Sequence, residues 1–98
     1  MHIILIKRSD YIGFHSGEIG FPGGKFDNQD KNLQHTALRE FFKELGVKLI
    51  LKKNLIKFTP LYIPPSNFIV FPFLTYVNFT PQFYPELNEV AKIIELPI

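Results

Sequence analysis

Residues 17–47 read GEIGFPGGKFDNQDKNLQHTALREFFKELGV, and this stretch decides the fold. A glycine-bearing loop runs into an acidic linker, then into an amphipathic segment that stops at Gly46. Over residues 31–45 the apolar positions follow helical spacing. Leu38, Phe41, Phe42 and Leu45 share one face, with Leu33 and Ala37 at its edges. Asp30 is placed to cap the start, and Gly46 supplies a left-handed residue to end the helix. Glu40 and Glu44, one turn apart, are predicted on the opposite side. Their default reading is a solvated face with Lys43 between them. The sharper reading is that carboxylates at i and i+4 converge on one hard cation. Gly23-Gly24 after Phe21-Pro22 also reads two ways, as a plain turn or as backbone left bare so that a metal or phosphate can approach.

Working outward, residues 2–8 (HIILIKR) are an apolar, β-branched run predicted as a buried strand. Residues 9–16 form a polar turn region containing Gly13. A short strand over 18–21 is stopped by Pro22 and the two glycines. Beyond Gly46 the pattern predicts strands at 47–51, 55–63 and 67–79. They are separated by Lys52-Lys53-Asn54 and by the turn Pro64-Pro65-Ser66-Asn67. Pro72 marks an edge or a bulge in the last of these, because proline donates nothing to a ladder. A loop over 80–88 precedes residues 89–96, a final strand or a short helix, with strand favoured because Pro97 follows directly. The expectation is one α+β domain over residues 1–98 with a single helix.

Composition narrows the function classes. Ninety-eight residues, 46% hydrophobic and 20% charged, suffice for one modest core. A net charge of +2 argues against an electrostatic nucleic-acid binder. With no cysteine there is no disulfide or thiolate site, which suits a reducing cytoplasm. A metal here has oxygen or imidazole ligands, which favours Mg2+ or Mn2+. The apolar runs at 1–6 and 68–77 are too short for a signal h-region or a membrane span, so no membrane association is expected.

The remaining polar residues have modest readings. Asp30 and Arg39 are an exposed salt bridge tying loop to helix, worth ~0–1 kcal/mol. His15 and His35 read as surface or structural residues. Lys48, Lys52, Lys53 and Lys57 form a basic run of the usually solvated kind.

Together these residues resemble the Nudix box, G-x5-E-x7-R-E-U-x-E-E-x-G-U, with U a bulky aliphatic residue. Gly24 is followed after five residues by Asp30 in the acidic position. Eight residues, where the pattern has seven, lead to Arg39-Glu40, and Phe41 through Val47 complete the box. The segments Leu5-Ile6-Lys7-Arg8-Ser9, His15 through Gly24 and Thr36-Ala37-Leu38-Arg39-Glu40 are similar to the coenzyme A diphosphatase-like branch of the family. So are residues 67–73 and 88–97.

The resemblance implies an α/β/α sandwich with a mixed sheet, shortened here at both ends. The unpaired sheet edge this leaves favours a homodimer. It also implies Mg2+- or Mn2+-dependent hydrolysis of a diphosphate in a nucleotide-type small molecule, with coenzyme A first among substrates. Glu40, Glu44 and Arg39 match catalytic positions, and Glu40, Glu44 and the Gly24 carbonyl match metal-binding ones. Arg8, His15, Gly23 and Gly24 match substrate-binding positions. Asp30 matches the residue that orients Arg39, and Glu89 an additional distal carboxylate.

Lys43 departs from the pattern, because the family has a metal-binding glutamate there. At ~4 Å and an effective dielectric of 20, each unit-charge repulsion is about 4 kcal/mol before screening. Three readings therefore compete. The first is a working diphosphatase. The second is a scaffold that binds a nucleotide or protein partner without chemistry, with the Lys43 ammonium in the cation's place. The third is a single-strand RNA binder using the lysine run.

Overall fold

The computed structural model describes residues 2–10, 17–49, 56–77, 79 and 81–97. Its elements in chain order are β1 (His2–Arg8), β2 (Ile19–Gly20), α1 (Leu33–Leu45), β3 (Ile56–Lys57), β4 (Leu61–Ile63), β5 (Phe68–Val70), β6 (Phe73–Leu74) and β7 (Val90–Pro97). The fold is α+β. Among the described residues there is one helix, and every strand pair is antiparallel.

β1 is the central strand of the largest sheet, between β2 and β7. Its register with β7 runs from His2 opposite Pro97 to Lys7 opposite Lys92, then shifts so that Arg8 faces Val90. Such a bulge turns the strand end out of the ladder. Side chains alternate across a strand, so Ile4 and Ile6 share a face. They meet Val90, Ile93, Phe83 and, from the helix, Phe41 and Leu45. Ile6, Leu45 and Val90 are fully buried. This small core fixes the C-terminal half of α1 against the sheet end that carries Arg8.

The helix differs from its sequence reading in three respects. It begins at Leu33, and its cap is Asn32, whose side chain accepts the His35 N–H at 2.8 Å. Asp30 is not the cap, because its carboxylate is occupied elsewhere, as described below. Phe42, expected on the packed face, is 51% exposed, whereas Thr36, Glu40 and Glu44 are buried. The helix is thus covered on two adjoining stripes, an apolar one by the sheet and a carboxylate one by the glycine loop. Apolar periodicity reports only the first.

Gly46 ends the helix at φ 72°, its N–H bonded to the Phe42 carbonyl at 2.8 Å. The chain around Tyr84 closes that end. Tyr84 N–H donates to Leu45 O at 2.7 Å and Glu86 N–H to Glu44 O at 2.9 Å. A Cβ on Gly46 would lie 2.7 Å from the Tyr84 Cβ, so glycine is required both for its backbone angle and for space.

Two strand predictions resolve into shorter pieces. The run 55–63 gives β3 and β4 with Pro60 between them, and 67–79 gives β5 and β6 broken at Phe71-Pro72. Proline supplies no N–H to either ladder, and the Pro72 carbonyl instead accepts from Phe58 N–H at 3.0 Å. The predicted turn at 64–67 joins β4 to β5, with Asn67 at φ 56°. Residues 47–49 are not strand. Residues 50–55, with Lys52 and Lys53, and 11–16, with Gly13 and His15, lie outside the described residues. The strand expected at 89–96 is β7.

Candidate functional site

Three carboxylates from two distant parts of the chain meet beside the core. Ligand oxygens of Glu40, Glu44 and Glu89 all lie within 4.8 Å of one another. Glu40 and Glu44 come from one stripe of α1. Glu89 comes from the turn before β7, which is anchored by the Ser9 N–H to the Glu89 carbonyl at 3.0 Å and the Ser9 hydroxyl to the Leu87 carbonyl at 2.7 Å. The end of β1 therefore positions the third carboxylate.

The glycine loop closes over the helical pair. Gly23 N–H donates to Glu44 Oε1 at 2.8 Å, and Arg8 Nη1 donates to Glu44 Oε2 at 3.4 Å. Gly24 packs directly on Glu40, where a Cβ would lie 2.5 Å from the carboxylate carbon. At Gly23 a Cβ would meet nothing within 4 Å. The two glycines thus have different reasons: Gly24 makes room for a carboxylate, and Gly23 contributes its N–H.

Arg39 locks the other side. Its Nε and Nη2 donate to Asp30 at 2.8 and 3.0 Å, its Nη1 to Glu40 Oε1 at 2.8 Å, and Nη2 also to the Lys25 carbonyl at 2.9 Å. Asp30 is buried and further accepts from Thr36 Oγ1 at 2.8 Å and Asp27 N–H at 2.9 Å. The pair is therefore not the exposed bridge expected from sequence but a bidentate one in which Asp30 is buried and Arg39 partly exposed. Arg39 holds the Asp30 carboxyl well below the usual carboxylate range. Asp30 in turn raises the Arg39 guanidinium further above its ordinary value, so the fork stays charged and fixed.

Glu44 shows the opposite effect. Burial pushes its pKa up to about 7, against the opposing pull of the Gly23 N–H and Arg8. Lys43 lies at the rim, its Nζ 2.9 Å from Glu89 Oε1. That bond, followed by the charge of Glu40, raises its pKa.

The donor set is all-oxygen, anionic and convergent, which fits a hard cation such as Mg2+ or Mn2+. The Gly24 cradle against Glu40 supports that fit. Of the residues singled out from sequence, Glu40, Glu44, Glu89, Gly23, Gly24, Arg8, Arg39, Asp30 and Lys43 are gathered here. His15 lies outside the described residues. His35 is structural, its Nδ1 accepting the Lys31 N–H at 2.9 Å. Sequence reasoning missed Thr36 as a partner of Asp30, and it missed the Tyr84 closure. It also missed that Arg8 touches Glu44 across 36 positions of sequence, a contact with no local signal.

Residues 1–96 match the NUDIX domain family. The chain is 35% identical over 96 residues to proteins named "Uncharacterized Nudix hydrolase NudL" from Yersinia pestis (strain Pestoides F) and Yersinia pseudotuberculosis serotype O:1b (strain IP 31758). The match covers 98% of this chain and 48% of each relative, so the chain spans about half the length of the curated relatives it matches. The chain belongs to the Nudix domain family. Enzymes of that family generally hydrolyse diphosphate bonds in nucleotide-type small molecules with a divalent metal such as Mg2+ or Mn2+. Among the described residues no helix is long and apolar enough to cross a membrane.

Proposed function

We propose that this chain hydrolyses a diphosphate linkage in a nucleotide-type molecule, with coenzyme A as the first substrate to test. The observation that carries the reading is the convergence of Glu40, Glu44 and Glu89 within 4.8 Å beside Gly24 and Arg8. When bound, a divalent ion supplies Lewis acidity, neutralising diphosphate charge and acidifying a nucleophilic water. Glu40, Glu44, Glu89 and the Gly24 carbonyl are the groups that would hold it.

The chain's own side chains divide the remaining work. Glu44 is the carboxylate placed to take a proton from a nucleophile at its oxygens. Gly23 N–H and Arg8 fix the direction of that carboxylate. Among the described residues Arg8 uses one N–H on Glu44, which leaves further donors for a phosphate oxygen, to which guanidinium geometry is suited. Arg39, clamped by Asp30, holds Glu40 against Gly24 and so keeps the centre's spacing constant.

The test is release of 3′,5′-ADP from coenzyme A with Mn2+, set beside NADH, ADP-ribose and dinucleoside polyphosphates. Glu44→Gln is expected to lower the rate on the preferred substrate roughly 10²–10⁴-fold. Absence of hydrolysis across the whole panel by the native chain would refute the reading.

A further inference from the structure

Among the described residues each carboxylate of the centre carries one basic partner: Arg8 on Glu44, Arg39 on Glu40 and Lys43 on Glu89. The three pairs are not equivalent. Arg39 is held by Asp30 and the Lys25 carbonyl as well as by Glu40. Arg8 extends from the paired end of β1 to a carboxylate that is itself bound by a backbone N–H. Lys43 and Glu89 have the most open side chains of the three pairs, 54% and 35% exposed. An ammonium on a flexible four-carbon stem also releases more easily than a clamped guanidinium fork. A cation drawing oxygens from all three carboxylates therefore meets one occupied ligand whose occupant can leave.

We propose that Lys43 is a built-in competitor of the divalent cation: its ammonium neutralises Glu89 while the centre is cation-free, and is displaced when the cation takes that carboxylate. This rests on the carboxylate-centre reading above and adds a role for a residue that the family pattern does not supply. Lys43 does not sit in the cation's place between Glu40 and Glu44. It engages the third carboxylate at the rim. The centre thus keeps its three acids in a nearly neutral state without a metal, at the expense of affinity for the free ion.

Mn2+ alone is the probe, titrated into the full chain and followed by the loss of the free-ion electron paramagnetic resonance signal. Lys43→Met is expected to bind about tenfold more tightly than the native chain, close to 1.4 kcal/mol. In a Glu89→Gln background the same Lys43→Met change is expected to gain about threefold or less, since the contested ligand is gone. Lys43 is exposed, and circular dichroism of each variant checks that the fold is retained.

Native-like or weaker binding by Lys43→Met overturns the proposal. A gain just as large in the Glu89→Gln background also overturns it, because the effect would then be general repulsion. Glu40→Gln with Glu44→Gln separates the two levels of the argument. If that pair leaves Mn2+ binding unchanged, the carboxylate-centre reading itself fails. If it abolishes binding while Lys43→Met matches the native chain, only the competitor role fails. No Mn2+ binding by any variant refutes both.

Discussion

Around α1, polar groups meet polar groups in two hydrogen-bonded sets side by side, Thr36–Asp30–Arg39–Glu40 and Gly23–Glu44–Arg8. Across residues 56–77 the hairpins are instead edged with apolar side chains, and Ile56, Phe58, Leu61, Tyr62, Ile69, Phe71 and Leu74 are all exposed. The first region is held by a small core and a fully partnered network, and among the described residues no buried side-chain nitrogen or oxygen lacks a hydrogen bond. The second is held by short ladders and local bonds such as Tyr62 Oη to Asn67 Oδ1 at 2.8 Å. The lesson is that the site is ordered where burial and charge pairing coincide, and that the aromatic content of the chain lies mostly elsewhere.

The largest contrast to expect follows from that division. Leu45→Ala removes a fully buried side chain from the core and is expected to destabilise the protein by about 2–5 kcal/mol. Ile69→Ala, on an exposed hairpin face, is expected to change stability by less than about 0.5 kcal/mol. Urea unfolding of both variants checks this. A cost at Ile69 approaching that at Leu45 would break the comparison, because it would mean that the hairpin face is covered in solution.

The next contrast lies inside the site, between adjacent glycines. Gly24→Ala drives a methyl group into the Glu40 carboxylate, which must swing away because it is the movable partner. The expected result is roughly a 10–100-fold loss in kcat/KM and in Mn2+ affinity, the range seen when the supports of a metal site are disturbed. Gly23→Ala has open space for its Cβ and keeps the N–H that Glu44 uses, so it is expected to stay within about threefold of native. Equal losses at both positions would show that the loop matters as a turn and not as a cradle.

Much of this was legible in the chain, for identifiable reasons. Helical spacing and Gly46 placed α1, and the proline-asparagine cluster at 64–67 placed a hairpin turn. Glu40 and Glu44, one turn apart, pointed to a shared direction. The burial of that direction was not legible, because Leu38, Phe41, Phe42 and Leu45 marked a different face and the carboxylates are covered by the glycine loop, which carries no apolar period. The cap was misassigned because Asp30 and Asn32 are both good capping residues. Arg39, Thr36 and the Asp27 N–H together occupy the Asp30 carboxylate and leave the cap to Asn32. The Arg8–Glu44 and Lys43–Glu89 contacts join segments with no local pattern in common, so they needed the fold.

The smallest effect expected is a slope, and it sharpens the comparison by asking whether the network's charges act on stability as their burial implies. In the metal-free protein the Glu44 pKa is raised from 4.5 to about 7. Between those values the unfolded chain releases a proton that the folded chain keeps. Glu44 therefore favours folding below pH 4.5, and that contribution is lost as pH rises through about 7. Asp30 has the opposite sign, since its carboxyl is depressed. Its contribution is complete above 3.8 and is lost as pH falls below that value. For these two groups the metal-free chain is most stable between the two windows, with a decline toward neutrality of under about 1.4 kcal/mol per pH unit. Urea midpoints from pH 2 to 8 measure it, and Glu44→Gln should flatten the decline while leaving the acid limb in place. Saturating Mn2+ should reverse the neutral limb, because a cation binds the ionised carboxylate and competes with its proton. A native chain whose metal-free stability rises steadily from pH 4.5 to 7 would mean that Glu44 is not buried in the way its partners indicate, and the carboxylate stripe of α1 would then belong with the exposed half of the molecule.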